Sequence, residues 1–289
     1  MKGLFATDPP ILAIDVANMV YRASARFGHF KTKGGRPSGH IFGMTKMLLS
    51  LHKKFKGPKF WFALEGEFAK ERRRKWLPSY KGNRGDKDRT PYFEVCDLVK
   101  LLPGLTCEHP KMEADDVLAV MAQPGMHKKD TVIIVTKDMD LWKFVGQDNV
   151  KVYYKDHVVS VVEVEAAFDV SPPCVPLAKT IFGDTSDHIS PSVPRANKAH
   201  IKGLIRELDL RTPAAFKDHL GELPPKTEAL VEKYWGAVEL TWKVVRLPTR
   251  VVPLTQTQGQ SNPKALVKYL KEFQCKSLYD EVEQFWTGV

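Results

Sequence analysis

Acidic residues stand in four tight groups along the chain: Asp15, Glu113-Ala114-Asp115-Asp116, Asp138-Met139-Asp140 and Asp184-Thr185-Ser186-Asp187. Carboxylates held close together repel one another unless protons or cations intervene. Hard divalent cations such as Mg²⁺ prefer oxygen ligands. The chemistry that calls for such a set is phosphodiester hydrolysis, in which two divalent ions roughly 3.5–4 Å apart activate a water and stabilise the leaving oxygen. Each group also has a structural reading. A DxD turn is commonly a solvated loop or a cap, an EADD run at a helix start serves capping and dipole compensation, and Asp15 can cap a loop. The argument for chemistry is the set in this order, each group at an expected strand end or helix start. Other constellations are missing. No nucleophile triad stands out, none of the nine histidines falls in an HExxH pattern, and neither GxxxxGK[ST] nor GxGxxG occurs. Nucleoside triphosphate and dinucleotide chemistry are thereby disfavoured.

The basic residues are gathered elsewhere. Residues 70–89, KERRRKWLPSYKGNRGDKDR, hold nine basic side chains against three acidic ones, a large share of the whole-chain net charge of +10. Trp76 and Tyr80 are interleaved with them. Basic groups neutralise phosphates, and aromatic faces stack on unpaired bases. A solvated, flexible face is the competing reading of this run alone.

The elements that must carry these groups follow from the hydrophobic pattern. With 289 residues, 43% hydrophobic and 27% charged, the chain is long enough for one large domain or two ordinary ones with a real core. It has no apolar stretch approaching a membrane span, and its first residues have too short an apolar run for a signal peptide. Cys96, Cys107, Cys174 and Cys275 are widely spaced, which argues against a zinc site or a disulfide framework and fits a reducing cytoplasm. The pattern predicts strands over 11–16, 59–64 and 132–136, and a short one over 105–107. It predicts helices over 41–55, 92–102 and 114–121, a strand over 150–154 and an extended partner over 157–162. Strands alternating with helices imply a mostly parallel sheet, whose chemistry lies beyond the carboxyl ends of its strands; Asp15, Glu65 and Asp138 fall at such ends. From about residue 182 helices and prolines dominate, with a strand signal left only over 250–254. Residues 255–262 read as a polar, mobile linker. Residues 264–286 form a helical stretch with an apolar face that docks on the body.

The motifs in order resemble those of structure-specific 5′ nucleases: the flap endonucleases and 5′–3′ exonucleases of bacteriophages, and the 5′-nuclease domain of bacterial DNA polymerase I. The residues that carry the resemblance are Asp15 with Arg22 in IDVANMVYRA, Tyr80-Lys81-Gly82-Asn83-Arg84, Glu113 to Asp116, Thr136 to Asp140, and Gly183 to Asp187. The likeness covers most of the chain. It implies an α/β, PIN-like 5′-nuclease fold: a mostly parallel central sheet flanked by helices, a basic helical arch over about 68–92, and a helical DNA-binding region. The expected division is a nuclease core over 1–181 and a helical region over 182–289. The resemblance places one ion on Asp15, Glu113, Asp115 and an acid after the second strand. It places the other on Asp116, Asp138, Asp140, Asp184 and Asp187, some through water. Lys81 and Arg84 would contact the scissile phosphate, and Arg22 would be a second phosphate contact. Arg72, Arg73, Arg74 and Lys75 of the arch, with Tyr80 stacking on a base or serving the structure, would meet DNA. Arg195, Lys198 and Lys202 would grip duplex. The ions implied are Mg²⁺, with Mn²⁺ as the alternative. The partners implied are DNA with 5′ single-stranded ends or flaps and RNA in RNA–DNA hybrids, acted on by a cytoplasmic monomer in phage or bacterial replication.

Two departures from the pattern stand out. After the second strand an aspartate is usual, whereas here the chain reads Leu64-Glu65-Gly66-Glu67, with Glu65 the natural substitute and Glu67 the weaker one. After Asp187 the glycine-rich helix–hairpin–helix segment is replaced by HISPSVPRANKA, which puts the family's potassium site in doubt. Two other readings remain at this level: a ribonuclease on a related carboxylate-bearing fold, and a catalytically inactive protein that binds DNA junctions.

Overall fold

Strand β1, Ile11–Asp15, is ILAID with every side chain buried, as an apolar run in the middle of a parallel sheet must be. In this computed structural model, which describes residues 9–82, 88–127 and 129–286, the chain packs as two units. The first comprises Met1–Ala69, Asp88–Lys137 and Thr249–Val289, the second Lys70–Lys87 and Asp138–Pro248. This division by packing is discontinuous in sequence, unlike the expected split near residue 182.

In the first unit β1 pairs in parallel with β2 (Lys59–Ala63) on one side and with β4 (Val132–Val135) on the other. Strand β3 (Gly104–Glu108) extends the sheet parallel to β2, and β7 (Thr255–Gln258) closes the edge antiparallel to β3. The order across this unit is β4-β1-β2-β3-β7. The parallel pairings require crossovers, and helices supply them. Helices α1 (Val16–Phe27), α2 (Gly39–Lys54), α4 (Thr90–Lys100), α5 (Ala114–Met121) and the short α6 (Pro124–His127) belong here. Helix α5 is buried along its whole length, and it packs on β1, β2 and β3. A helix that is apolar nearly all round belongs inside, so the two aspartates in its first turn are carried into the interior with it. The 3₁₀ turns Lys276–Leu278 and Val282–Phe285 dock on α2, where Lys46 and Lys53 pair with Glu281 at 3.1 and 3.7 Å, and helix α13 (Pro263–Glu272) packs on both turns.

The second unit holds the short α3 (Glu71–Arg74), the antiparallel pair β5 (Val150–Tyr154) and β6 (His157–Val158), and α7 (Val161–Phe168) and α8 (Val175–Phe182). Helices α9 (Lys198–Glu207), α10 (Pro213–Asp218), α11 (Pro225–Lys233) and α12 (Trp235–Val245) follow. Pro176, Pro213 and Pro225 stand in the first turns of α8, α10 and α11, where a missing N–H costs nothing and the fixed φ suits the helix.

Three expectations fail for identifiable reasons. The extended partner stops at Val158, because Ser160 and Glu163 form a reciprocal capping box that starts α7 at Val161. The cap outweighs the β-branched pair Val161-Val162. Residues 250–254 are irregular, and the strand lies instead at Thr255–Gln258. Polar alternation (TQTQ) suits an exposed edge that needs only backbone pairing. The closing stretch is one ten-residue helix and two 3₁₀ turns rather than a single long helix.

Candidate functional site

In the first unit the carboxyl end of β1 delivers Asp15 to the start of α1. One oxygen of Asp15 accepts from the Asn18 backbone N–H at 2.9 Å and caps the helix. The other accepts from the Thr136 hydroxyl, just past β4, also at 2.9 Å. The side chain is buried, and its pKa is pushed up to about 6. Burial is the main cause; the neighbouring negative charges of Asp115 and Glu65 add to it, and the two hydrogen bonds oppose it. Glu113 and Asp116 are buried at the start of α5 and cap each other: the Glu113 N–H donates to Asp116 at 3.3 Å and the Glu113 side chain accepts in return. Asp115 accepts from the Asp116 N–H at 2.7 Å and is buried as well. The EADD run caps its helix, as the structural reading expects, and it also carries carboxylates into the interior near Asp15.

The two acids after β2 separate clearly. Glu65 is partly buried, pairs with Arg89 at 3.4 Å, and has its own N–H donated to the Tyr92 hydroxyl at 2.7 Å. Its charge is felt at Asp15, while Glu67 is exposed. Arg22 lies on α1 seven residues past Asp15, two helical turns along and on nearly the same side. Thr136 stands in the sequence as the end of a strand and the start of the Thr136–Asp140 motif, but its hydrogen bond to Asp15 has no signal there.

The second unit has its own acidic assembly. Asp138 accepts from the Asp140 N–H at 2.9 Å and opens a 3₁₀ turn over Met139–Phe144. Asp184 accepts from the Ser186 N–H and hydroxyl at 2.9 and 2.6 Å. The Lys179 ammonium of α8 touches Asp140 and lies 2.7 Å from Asp184. Asp187 is buried. It accepts from the Tyr80 hydroxyl at 3.1 Å, its carbonyl accepts from the Lys81 N–H at 3.0 Å, and the Lys81 ammonium is 3.8 Å from its carboxylate. Lys81 takes the left-handed backbone conformation (φ 50°), a costly choice for a side-chain-bearing residue, and its Asp187 contacts secure it.

Several basic residues expected at DNA have different positions. Arg73 is 2% exposed. Its Nε donates to the Val244 carbonyl at 2.9 Å and its guanidinium lies over the Tyr80 ring, so it pins residues 70–82 to α12 rather than meeting phosphate. Tyr80 is 1% exposed in a cluster with Ile189, Val244, Leu77 and Val245. A ring so enclosed packs and cannot stack on a base. Lys202 donates to the Phe168 carbonyl at 2.6 Å. Arg74, Lys75, Arg195 and Lys198 are exposed and Arg72 partly so. Lys243 lies 4.3 Å from the Trp76 ring centre, a cation–π contact that occupies one face of it. Arg84 lies outside the described residues.

The donor set suits hard divalent ions: acids from separate stretches of sequence, Asp15, Glu113, Asp115, Asp116 and Asp187 among them buried, offering carboxylate oxygens as ligands. Among the described residues no helix is long and apolar enough to cross a membrane, and all the cysteines are free and buried.

Comparison with known proteins adds the following. Residues 10–169 match the family described as 5′-3′ exonuclease, N-terminal resolvase-like domain. A 5′-3′ exonuclease of Aquifex aeolicus is 29% identical over 281 residues, covering 94% of this chain and 95% of that protein. A 5′-3′ exonuclease of Buchnera aphidicola is 24% identical over 191 residues, 64% of this chain and 66% of the relative; that match spans just under two thirds of the relative's length. Among solved structures, the bacteriophage T5 D15 protein co-crystallised with metal ions superposes with a TM-score of 0.62 at 17% identity, covering 95% of this chain and 99% of that one. Flap endonuclease-1 from Methanococcus jannaschii gives 0.61 at 16% identity, covering 96% and 92%. At these identities the structural likeness speaks for the fold.

Proposed function

Because this chain belongs to the 5′-3′ exonuclease family, we propose that it is a metal-dependent 5′ nuclease, a 5′–3′ exonuclease and flap endonuclease. It hydrolyses phosphodiester bonds of DNA near junctions between single strand and duplex. The observation that carries this reading is the interior group Asp15, Glu113, Asp115 and Asp116 at the carboxyl end of a parallel sheet, with Asp15 pushed up to about 6. Carboxylates buried this close together bear a desolvation cost that a bound cation would offset. Asp15, Glu113 and Asp115, with Glu65 beside them, are assigned to one ion. Asp138, Asp140, Asp184 and Asp187 of the second unit are assigned to the other. When bound, Mg²⁺ or Mn²⁺ supplies an activated water and a counter-charge for the leaving oxygen.

The chain's own residues do the rest. Thr136 and the Asn18 N–H fix the direction of the Asp15 carboxylate. Asp187 and the buried Tyr80 hold Lys81, itself largely buried; its ammonium is assigned the role of offsetting developing charge on the scissile phosphate. Arg22 and Arg84 are further phosphate contacts. The exposed Arg74, Lys75, Arg195 and Lys198 attract the polyanion. RNA in RNA–DNA hybrids is a second substrate of the same chemistry, which would suit primer removal during replication.

The test is hydrolysis of a 5′-flap oligonucleotide with Mg²⁺ and with EDTA, beside single-stranded RNA. Release of short 5′ products from the flap only with Mg²⁺ is expected. An intact flap in both, or equal cleavage of the RNA, would overturn the proposal.

A further inference from the structure

Lys179 belongs to none of the residue sets expected from the sequence. It lies on α8, four residues before the helix-ending Gly183, with its side chain 12% exposed. Its ammonium touches Oδ1 of Asp140 and lies 2.7 Å from Oδ2 of Asp184. Asp184 is turned to it by its other oxygen, which is taken up by the N–H and hydroxyl of Ser186. Asp140 is held by its N–H, which donates to Asp138. Burial works against the ammonium, but the two carboxylates outweigh it and raise the lysine above its ordinary range. Asp184 is lowered for the matching reason, the nearby ammonium prevailing over burial.

Three charges thus share one confined space, and the ammonium uses one oxygen of each carboxylate. A hard divalent ion approaches its oxygens to about 2.0–2.1 Å and tolerates little distortion. A second positive charge a few ångströms away costs several-fold to a hundredfold in affinity, depending on how much water screens the pair. The lysine stem has four carbons and rotates freely enough to carry the charge away.

Resting on the reading of Asp140 and Asp184 as ion-holding residues, we propose that Lys179 is a resident counter-cation of that carboxylate pair. It keeps Asp140 and Asp184 together when no ion is bound, and it withdraws its ammonium when a divalent ion takes its place. The second unit's acids are therefore preassembled in the ion-free protein, and the ion they take is the weaker-bound one. Two ions of unequal affinity follow from a single side chain.

The experiment is a Mn²⁺ titration of the full chain without DNA, followed by calorimetry and by the electron paramagnetic resonance of free Mn²⁺. It is run on the wild type and on Lys179→Met, which keeps an unbranched side chain one atom shorter and removes the charge. In Lys179→Met the weaker of the two ions is expected to bind about tenfold more tightly or better, with the stronger unchanged. A merely structural lysine would lower affinity when removed. Equal or weaker binding in the variant overturns the proposal. Should Lys179→Met fail to fold, the wild type still decides. The ¹⁵N ammonium resonance of Lys179, protected in ion-free protein, is expected to move and broaden as Mg²⁺ saturates the weaker site. A resonance unchanged at saturation overturns the proposal equally. The nuclease reading fails by a different result, an uncleaved flap in the presence of Mg²⁺, whereas these titrations contain no substrate.

Discussion

At Asp15 two hydrogen bonds work against burial and neighbouring charge, and burial wins: the carboxyl titrates near 6 instead of near 3.8. The sign of the consequence is set by proton binding. Between about pH 4 and pH 6 the folded, ion-free protein keeps a proton that the unfolded chain has released. Stability therefore falls as pH rises through that window. Asp15→Asn removes the cost while the amide still accepts from the Asn18 N–H. We expect the ion-free variant to be more stable than wild type by about 2–3 kcal/mol at pH 8, with the gain vanishing below pH 4, as read by urea unfolding in EDTA. Nuclease activity should disappear in the same variant. A variant no more stable at pH 8 would mean that Asp15 is not under electrostatic strain. Tyr80 makes the companion case. Tyr80→Phe loses the bond to Asp187 and should cost about 1 kcal/mol, while Tyr80→Ala opens a cavity and should cost about 3–5 kcal/mol. A base-stacking tyrosine would instead tolerate both in the absence of DNA.

Residues 70–82 are legible in sequence as a basic segment, but their two faces are not. Arg72, Arg73, Arg74 and Lys75 read alike along the chain; helix α3 turns Arg73 inward onto the Val244 carbonyl and leaves Arg74 and Lys75 in solvent. One or two positions within a single helical turn separate the anchor from the exposed side chains proposed to meet phosphate, and the partner that marks the anchor lies some 170 positions away. The binding experiment separates them. Lys75→Ala should reduce the slope of log affinity for flap DNA against log salt by about 1, whereas Arg73→Ala should leave that slope unchanged. Arg73→Ala should instead lower stability by about 1.5–3 kcal/mol, because a charged hydrogen bond inside the unit is lost. Equal slope changes for the two would return Arg73 to the DNA-binding face. The edge strand β7 and helix α7 teach the same lesson. Polar TQTQ becomes a strand because β3 offers it a backbone ladder, and Val161-Val162 enter a helix because Ser160 caps it.

For the whole molecule, ion binding and folding are linked, since an ion that binds the folded form alone stabilises it in proportion to the logarithm of its concentration. At a Mg²⁺ concentration about a hundredfold above the dissociation constant the gain is about 2.7 kcal/mol. The melting temperature at pH 8 should therefore rise on adding Mg²⁺ to wild type, and rise much less in Asp15→Asn, as scanning calorimetry would show. Much of this was open to reading from the residues. The apolar runs of β1, β2 and β4 are legible because a strand buried on both faces must be continuously apolar. The carboxylates are legible because acids at the ends of such strands are placed by the strand itself. The order of the motifs pointed to the family that the comparison with known proteins establishes. Three features depended on tertiary packing: Thr136 bonded to Asp15, Lys179 set between Asp140 and Asp184, and Arg73 and Tyr80 withdrawn from the surface. Periodicity and spacing determine what a residue can be within its own element. Burial and long-range partners determine what it does, because desolvation and hydrogen bonding depend on what surrounds an atom in space and not on its neighbours along the chain.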